Sequence, residues 1–417
     1  MIRVLRQRDF SLLWFAGLIS LIGDMMLTIA LPVAVYELTG SALATGGLLI
    51  ARAVPTLLLG SVAGVFVDRW DRKLTMVIAN LVRAPILLLL LLVDSSDRLW
   101  LVYVVAFLTS VFSRFFRPAE NALLPLLVAR DDLIPANSLN SLNNNLSLLL
   151  GPALGGVIAA RFGLSGVALA DAASFLVAGV MILAIVTPAR AERSAEPAAE
   201  GMRHAWARVW HEWLDGLRVI RGNPTLRIVF GVIAIGSIGE GVFGTAIWIF
   251  IDETLNGGPR EAGWILSAQA VGGLIGAVVI GARARRVGAI RLMAWGAIGL
   301  GTIDLMTFNY PAVISGIWLA MILMAIVGVP ASAFGAGYTT AIQSETEDAY
   351  RGRVFGALDA TAALLAMVGA VIAGVATARL GPVLILSLDS LAYVAAGVIA
   401  LRILRGGLRV EGEGLRE

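Results

Sequence analysis

Twelve stretches of roughly twenty or more mostly apolar residues follow one another along this chain, and that pattern constrains it more than anything else. They fall near 10–38, 41–67, 74–94, 99–126, 135–161, 164–187, 224–251, 261–283, 289–309, 311–341, 352–378 and 381–404. At about 1.5 Å of rise per residue, each is long enough to cross a bilayer as a helix. Of 417 residues, 58% are hydrophobic and 15% charged, and the mean hydropathy is +0.86. So little polar surface cannot keep a chain of this size dispersed in water, so lipid must solvate most of it. The expected class is an all-α integral membrane protein with twelve transmembrane helices.

Composition also excludes several chemistries. There is no cysteine, and His204 and His211 are the only histidines, so disulfides, thiolate chemistry and a histidine metal site are not expected. No cofactor is expected either. The net charge of +3 comes from basic residues beside apolar runs, which suits membrane flanks and not a nucleic-acid surface. Met1–Arg8 is basic but is followed by a run long enough to span, so no cleavable signal peptide is expected.

Arginine placement sets the orientation. Arg3, Arg6, Arg8, Arg69, Arg72, Lys73, Arg130, the 188–223 linker, Arg283, Arg285, Arg286 and the tail fall on one side. The other side has only Arg98, Arg161, Arg260 and Arg379. The positive-inside rule places both termini and the linker in the cytoplasm, with the chain in a cell (inner) membrane. The linker divides the chain into an N-terminal six-helix bundle (1–187), the linker itself (188–223), a C-terminal six-helix bundle (224–404) and a tail (405–417). Trp206, Val209, Trp210, Trp213, Leu214, Leu217 and Ile220 recur at helical spacing in the linker. That helix suits either the membrane interface or a groove on the protein's own surface.

The two halves repeat. Gly23-Asp24 recurs as Gly239-Glu240 at an offset of 216, and Gly64 with Asp68-Arg69 as Gly281 with Arg285-Arg286 at 217. Arg161-Phe162-Gly163 recurs as Arg379-Leu380-Gly381, and Asp171 and Phe175 as Asp389 and Tyr393, at 218. Acidic and Arg-x-Gly matches in one order, with slow drift, indicate parallel repeats.

Polar residues inside spans carry the functional information, because a charge at mid-bilayer costs about 2.5–3.5 kcal/mol on insertion scales. Asp24 continues a small polar face with Gly17, Ser20 and Thr28, and Glu240 is its repeat mate between Gly236 and Gly244. Two carboxylates at equivalent places are expected to flank a cavity and exchange protons; the alternative is a buried carboxylate paired to Arg52 or Arg83. Ser110, Ser113, Arg114, Arg117 and Asn121 share a stripe of the fourth span, and Asn140, Asn144, Ser147 and Gly151 one of the fifth. With Thr28, Gln269, Asp304 and Asp359 they are the expected cavity lining, the alternative for the two stripes being helix–helix hydrogen bonding. Asp171 and Asp389 suggest a capping pair.

Between the second and third spans lies Gly64-Val-Phe-Val-Asp68-Arg69-Trp70-Asp71-Arg72-Lys73. The carboxylate and basic residues suit either a latch that breaks and re-forms or an ordinary headgroup anchor. This loop resembles the signature loop of the major facilitator superfamily, G-x-x-x-D-R-x-[GD]-R-[RK], at Gly64, Asp68, Arg69, Asp71, Arg72 and Lys73. Gly281-Ala-Arg-Ala-Arg285-Arg286 resembles its worn second copy. Ser20-Leu-Ile-Gly-Asp24, Ala30-Leu31-Pro32, Tyr36-Glu-Leu-Thr-Gly-Ser41, Arg114-Phe-Phe-Arg117-Pro118-Ala119, Ala136-Asn137-Ser138-Leu139, Gly151-Pro152-Ala-Leu-Gly155-Gly156 and Arg351-Gly352-Arg353-Val354-Phe355-Gly356 resemble the bacterial macrolide-efflux and enterobactin-exporter-like branch. The resemblance spans nearly the whole chain. It implies two pseudo-symmetric six-helix bundles, a latch role for Asp68, Arg69 and Arg72, and proton-driven export of amphipathic drugs or siderophore-like molecules. A lysophospholipid transporter or a facilitated uniporter is the alternative. Expected partners are the small substrate, protons and membrane lipids, with the protein a monomer. No nucleophile–base pair, metal cluster or phosphate loop is present, so an enzyme is not expected.

Overall fold

The computed structural model describes residues 2–67, 70–187, 202–281 and 287–413. Among the described residues there is no strand, and helices account for nearly everything. A chain in hydrocarbon must satisfy its backbone polar groups internally, and a helix does this within each segment. Among the described residues, ten helical runs are long and apolar enough to cross a membrane.

Two of these runs are double. Leu133–Leu183, of 51 residues, breaks at Gly163 (φ 62°, ψ −164°), and Asp348–Glu413, of 66 residues, breaks at Gly381 (φ 77°, ψ 159°). That corner of backbone space is essentially open to glycine alone, which is why the Arg-x-Gly pair recurs there. Each run therefore supplies two spans, and the total is twelve. In chain order they are α1 (Arg8–Thr39), α2 (Ala42–Val67), α3 (Arg72–Leu88), α4 (Trp100–Leu127), α5 and α6 (133–162 and 164–183), α7 (Pro224–Ile249), α8 (Pro259–Gly281), α9 (Ala289–Asn309), α10 (Ile317–Glu345), and α11 and α12 (348–380 and 382–413). Helix α12 runs to Glu413, through part of what the sequence suggested was tail.

Local chemistry sets several ends. Gly40, at φ 59°, closes α1 by donating its N–H to the Tyr36 carbonyl at 2.7 Å. Asp71 caps α3 by accepting the Leu74 N–H at 2.9 Å. Asn223 caps α7 by accepting from Thr225 and Leu226 at 2.8 and 3.2 Å, with Pro224 at the first helical position.

The chain divides into two compact units, Met1–Val209 with Gly257–Ser267, and Trp210–Asn256 with Ala268–Glu417. In the first, α1 packs against both α5 and α6. Trp14 donates its indole N–H to the Leu139 carbonyl at 2.9 Å, and Asn143 donates its side-chain N–H to the Trp14 carbonyl, also at 2.9 Å. A Cβ on Gly155 would meet the Met26 backbone at 2.6 Å, and one on Gly23 would collide with Asp171 and Ser174. The second unit repeats the arrangement, with α7 against α11 and α12. A Cβ on Gly241 would strike the Ala366 carbonyl, and one on Gly239 would collide with Asp389 Oδ1. Such contacts let backbones pack at close range, where small residues replace the missing hydrophobic drive. A smaller tie also repeats: Ser110 of α4 donates to the Arg52 carbonyl of α2 at 2.8 Å, and Ser332 of α10 to the Gly273 carbonyl of α8 at 2.7 Å.

The linker helix Met202–Gly222 docks on the second unit along the part whose side chains are described. Trp213 donates to Thr361 at 3.3 Å, and Gly216 sits against the Arg353 carbonyl and Ala357. Trp213, Leu217 and Ile220 join that unit's apolar core, whereas Trp210 stays 59% exposed. Of the two placements open from the sequence, the protein's own surface accounts for this stretch.

Candidate functional site

The site is built first on α1. Asp24 follows Gly23, whose missing side chain lets α6 approach. Its carboxylate is in direct contact with the guanidinium of Arg83 on α3. Arg83 is buried, its side chain 3% exposed, and its Cζ lies 3.8 Å from the centre of the Phe175 ring on α6. Asp171 on α6 is wholly buried and accepts from Ser174 at 3.0 Å. Arg52 on α2 lies within electrostatic range of Asp24, Arg83 and Asp171. Asp24 itself keeps 22% of its side chain accessible, so the quartet is reached from outside through that group. Of the two partners open for Asp24 from the sequence, Arg83 makes the contact. Asp171 lies in mid-helix and caps nothing, which corrects the capping expectation.

The corresponding set in the second unit is built on α7, α9 and α12. Glu240 is exposed at its residue surface yet set deep among protein atoms. Asp389 lies within electrostatic range of Glu240, and Asp304 within range of Asp389. Tyr393 is in range of all three and donates its hydroxyl to the Gly236 carbonyl at 2.9 Å. Asp389, like Asp171, is far from a helix end and is not a cap. Asp304 is buried, with Oδ1 unpartnered. Among the described residues, no arginine or lysine pairs with any of these three acids. The repeat explains why. Gln269 stands where the offset of 217 carries Arg52, and Gly301 where 218 carries Arg83. A Cβ on Gly301 would lie 3.0 Å from Cβ of Tyr393, the mate of Phe175, so a glycine abuts that residue in this unit where an arginine lies over the ring in the other.

The remaining expected positions are less gathered. Arg117 donates to Asn144 Oδ1 at 3.2 Å, and both help line a cavity of about 270 Å³ with Asn121 and Asn140. The same cavity is lined by Glu120 and Asn143, which the sequence reading did not single out. Ser147 is buried and donates to the Asn144 carbonyl at 2.9 Å, and Thr28 to that of Met25 at 2.6 Å. Ser113, Arg114 and Gln269 are half-buried and Asp359 is exposed; none joins either charge set by a direct bond. In the loop, Asp68 and Arg69 lie outside the described residues, as do Arg283, Arg285 and Arg286 of the second copy. Gly64 falls within α2. Asp71 is a helix cap. Arg72 donates to the Ala122 carbonyl of α4 at 3.0 Å, and Lys73 to the Ile185 carbonyl just beyond α6 at 2.7 Å. These two cations bind the first unit's own carbonyls, not lipid headgroups alone, and Trp70 stacks on Phe115 at 5.7 Å beside them.

Twelve spans in two units of like construction, with ionisable groups held inside, define a membrane carrier. The model of the Major Facilitator Superfamily matches residues 13–239 and 229–413, so the chain belongs to that superfamily and is a multi-pass membrane transporter, not an enzyme. It is 27% identical over 404 residues to the uncharacterized MFS-type transporter YfiS of Bacillus subtilis, covering 95% of this chain and 92% of that one. It is 25% identical to macrolide efflux protein A of Streptococcus pyogenes (89% and 90% covered), and 27% identical to the multidrug efflux pump Tap of Mycolicibacterium fortuitum (88% and 89% covered). In fold it is similar to a mutant form of the nucleoside transporter NupG, with a TM-score of 0.77 at 13% identity over 94% of this chain and 99% of that one. It is similar also to a bacterial homologue of the iron transporter ferroportin in an inward-facing state, with a TM-score of 0.73 at 16% identity over 95% and 98%.

Proposed function

We propose that this transporter exports amphipathic drug-like or siderophore-like small molecules in exchange for protons, by alternating access. One observation carries the proton part. Glu240, Asp389 and Asp304 share a neighbourhood without a basic partner. A buried carboxyl such as that of Asp304, kept from water and from cations, is stable only once it has taken up a proton or a cation, and Glu240 is the accessible member of the group. A carrier that must load and unload protons needs such groups, and Asp24, held by Arg83 yet partly accessible, supplies a first-unit counterpart. In this reading substrate competes with protons at Asp24 and Glu240. Arg52 and Arg83 tune the first-unit acids. The loop at Gly64, Asp68, Arg69, Asp71, Arg72 and Lys73 latches one state. Export of drugs is supported by the likeness to macrolide efflux protein A and Tap. Arginine placement supports a bacterial cytoplasmic membrane with both termini inside. The test is flux in proteoliposomes under an imposed pH gradient, with macrolides, tetracyclines, dyes and siderophores as substrates. Gradient-driven accumulation that collapses when the gradient is dissipated is the expected result. Flux indifferent to the gradient overturns proton coupling and leaves a uniporter.

A further inference from the structure

A cavity of about 270 Å³ lies within the first unit alone, among α1, α4 and α5. Its lining includes Arg117, Glu120, Asn140 and Asn143. Glu120 is its unusual member. It sits seven residues from the end of α4, about 10 Å of helix rise inside, and only 9% of it is exposed. Arg117, one turn back on the same helix face, would be the ordinary partner. The two do not pair: Arg117 turns to Asn144, whereas the Glu120 carboxylate lies toward Gly17 of α1. A Cβ on Gly17 would come within 2.9 Å of Glu120 Oε1, so the glycine makes room for the acid. Glu120 has no hydrogen bond or ion pair among the described residues. Asn143, 2% exposed, spends its N–H on the Trp14 carbonyl and leaves Oδ1 unpartnered, and Asn140 Oδ1 is unpartnered too.

A buried carboxylate lines the cavity, and two idle carbonyl oxygens belonging to its lining residues lie behind the wall, so a donor entering there would find acceptors that a small side-chain shift brings within reach. A divalent metal is disfavoured, since it wants several carboxylates and a crowd of oxygens, and only one acid is here. The space also exceeds the roughly 30 Å³ of a single water or small ion several-fold. A protonated primary amine carries three N–H donors to match these three acceptor groups, and its positive charge answers Glu120, because Arg117, though within electrostatic range of that acid, is turned to Asn144. We propose that this cavity is a subsite for the primary ammonium group of an organic cation, with Glu120 as its counter-ion and Asn140 and Asn143 accepting its remaining hydrogens. The proposal rests on the transport reading above for its purpose, and it adds a selectivity: primary ammonium over quaternary ammonium over neutral amide.

The full-length protein in detergent micelles is titrated with dansylcadaverine, its N,N,N-trimethyl derivative and its N-acetyl derivative. The wild type is expected to bind the primary ammonium at least tenfold tighter than the trimethyl form. Glu120→Gln is expected to bring the two within twofold. Equal wild-type affinities, or a preference that survives Glu120→Gln, overturn the site. Should that variant not fold, Asn140→Ala removes one acceptor and keeps the charge; it is expected to cut the preference at least threefold, and an unchanged ratio is equally fatal. Gradient-driven flux of a neutral substrate is followed in parallel. Flux without ammonium preference sinks the subsite alone, and preference without flux sinks the transport reading alone.

Discussion

In the first unit Asp24 and Asp171 share two arginines, whereas in the second Glu240, Asp389 and Asp304 share none among the described residues. The backbones that hold them are alike, with α1 between α5 and α6 and α7 between α11 and α12. The glycines that admit the acids are alike too, Gly23 facing Asp171 and Gly239 facing Asp389. What differs is the cation positions, where Gln269 and Gly301 replace Arg52 and Arg83. Two acids with two arginines sum to no net charge. Three unpartnered acids, if ionised, repel one another by an amount on the order of a few kcal/mol per close pair. One duplicated framework thus yields a set that is neutral by its own side chains and a set whose neutrality must be imported.

The contrast is broken most severely at Arg83. Arg83→Ala leaves Asp24 and Asp171 short of a cation, and the expected loss is about 3–5 kcal/mol, read as a large drop in melting temperature in detergent. Overpacking comes next. Gly23→Ala and Gly239→Ala each drive a methyl group into a carboxylate and are expected to cost about 1–3 kcal/mol by the same measurement. Equal losses would show that the two frameworks are equally tight. Glu240→Gln sharpens the difference in the other direction. It removes an unpaired charge, so stability is expected to hold or rise, while gradient-driven flux falls at least tenfold, about 1.4 kcal/mol. A stable variant with full proton-driven flux would falsify the coupling role of that residue. The smallest effect is expected at Lys73→Met, which gives up the bond to the Ile185 carbonyl at a cost of about 0.5–1.5 kcal/mol and leaves both acid sets untouched.

Span count and pairing of the halves were legible because both depend on local pattern. Apolar length marks a span wherever it occurs, and Gly163 and Gly381 announce their breaks through the repeated Arg-x-Gly. Asp24 and Glu240 stood out because a mid-span acid is rare. The partner of Asp24 was not legible, since Arg52 and Arg83 both lie at helical depth and only packing on Phe175 brings Arg83 to the acid. Glu120 escaped notice because it lies near a helix end, where charges ordinarily reach water. What buries it is Gly17, more than a hundred residues away in sequence. A signal existed in Asn140, Asn143, Asn144 and Ser147, spaced three, four and seven apart, a fuller polar face than the stripe of Asn140, Asn144, Ser147 and Gly151, which leaves Asn143 out. The loop cations misled for the same reason: arginine and lysine beside a span suit headgroups, and the carbonyls that receive Arg72 and Lys73, of Ala122 in α4 and Ile185 just beyond α6, lie far along the chain.

The single-residue turns at Gly163 and Gly381 carry a mechanical consequence. With one glycine between arms of twenty or more residues, there is no slack for either arm to slide along the other, and only two backbone torsions through which to re-aim it. What holds the arms together is a shared neighbour and not the glycine itself: both arms of the first pair pack on α1, Gly155 against Met26 and Asp171 against Gly23, and both arms of the second pack on α7, Ala366 against Gly241 and Asp389 against Gly239. Asp171 and Asp389 are thereby tied, through α1 and α7, to whatever displaces the far arm.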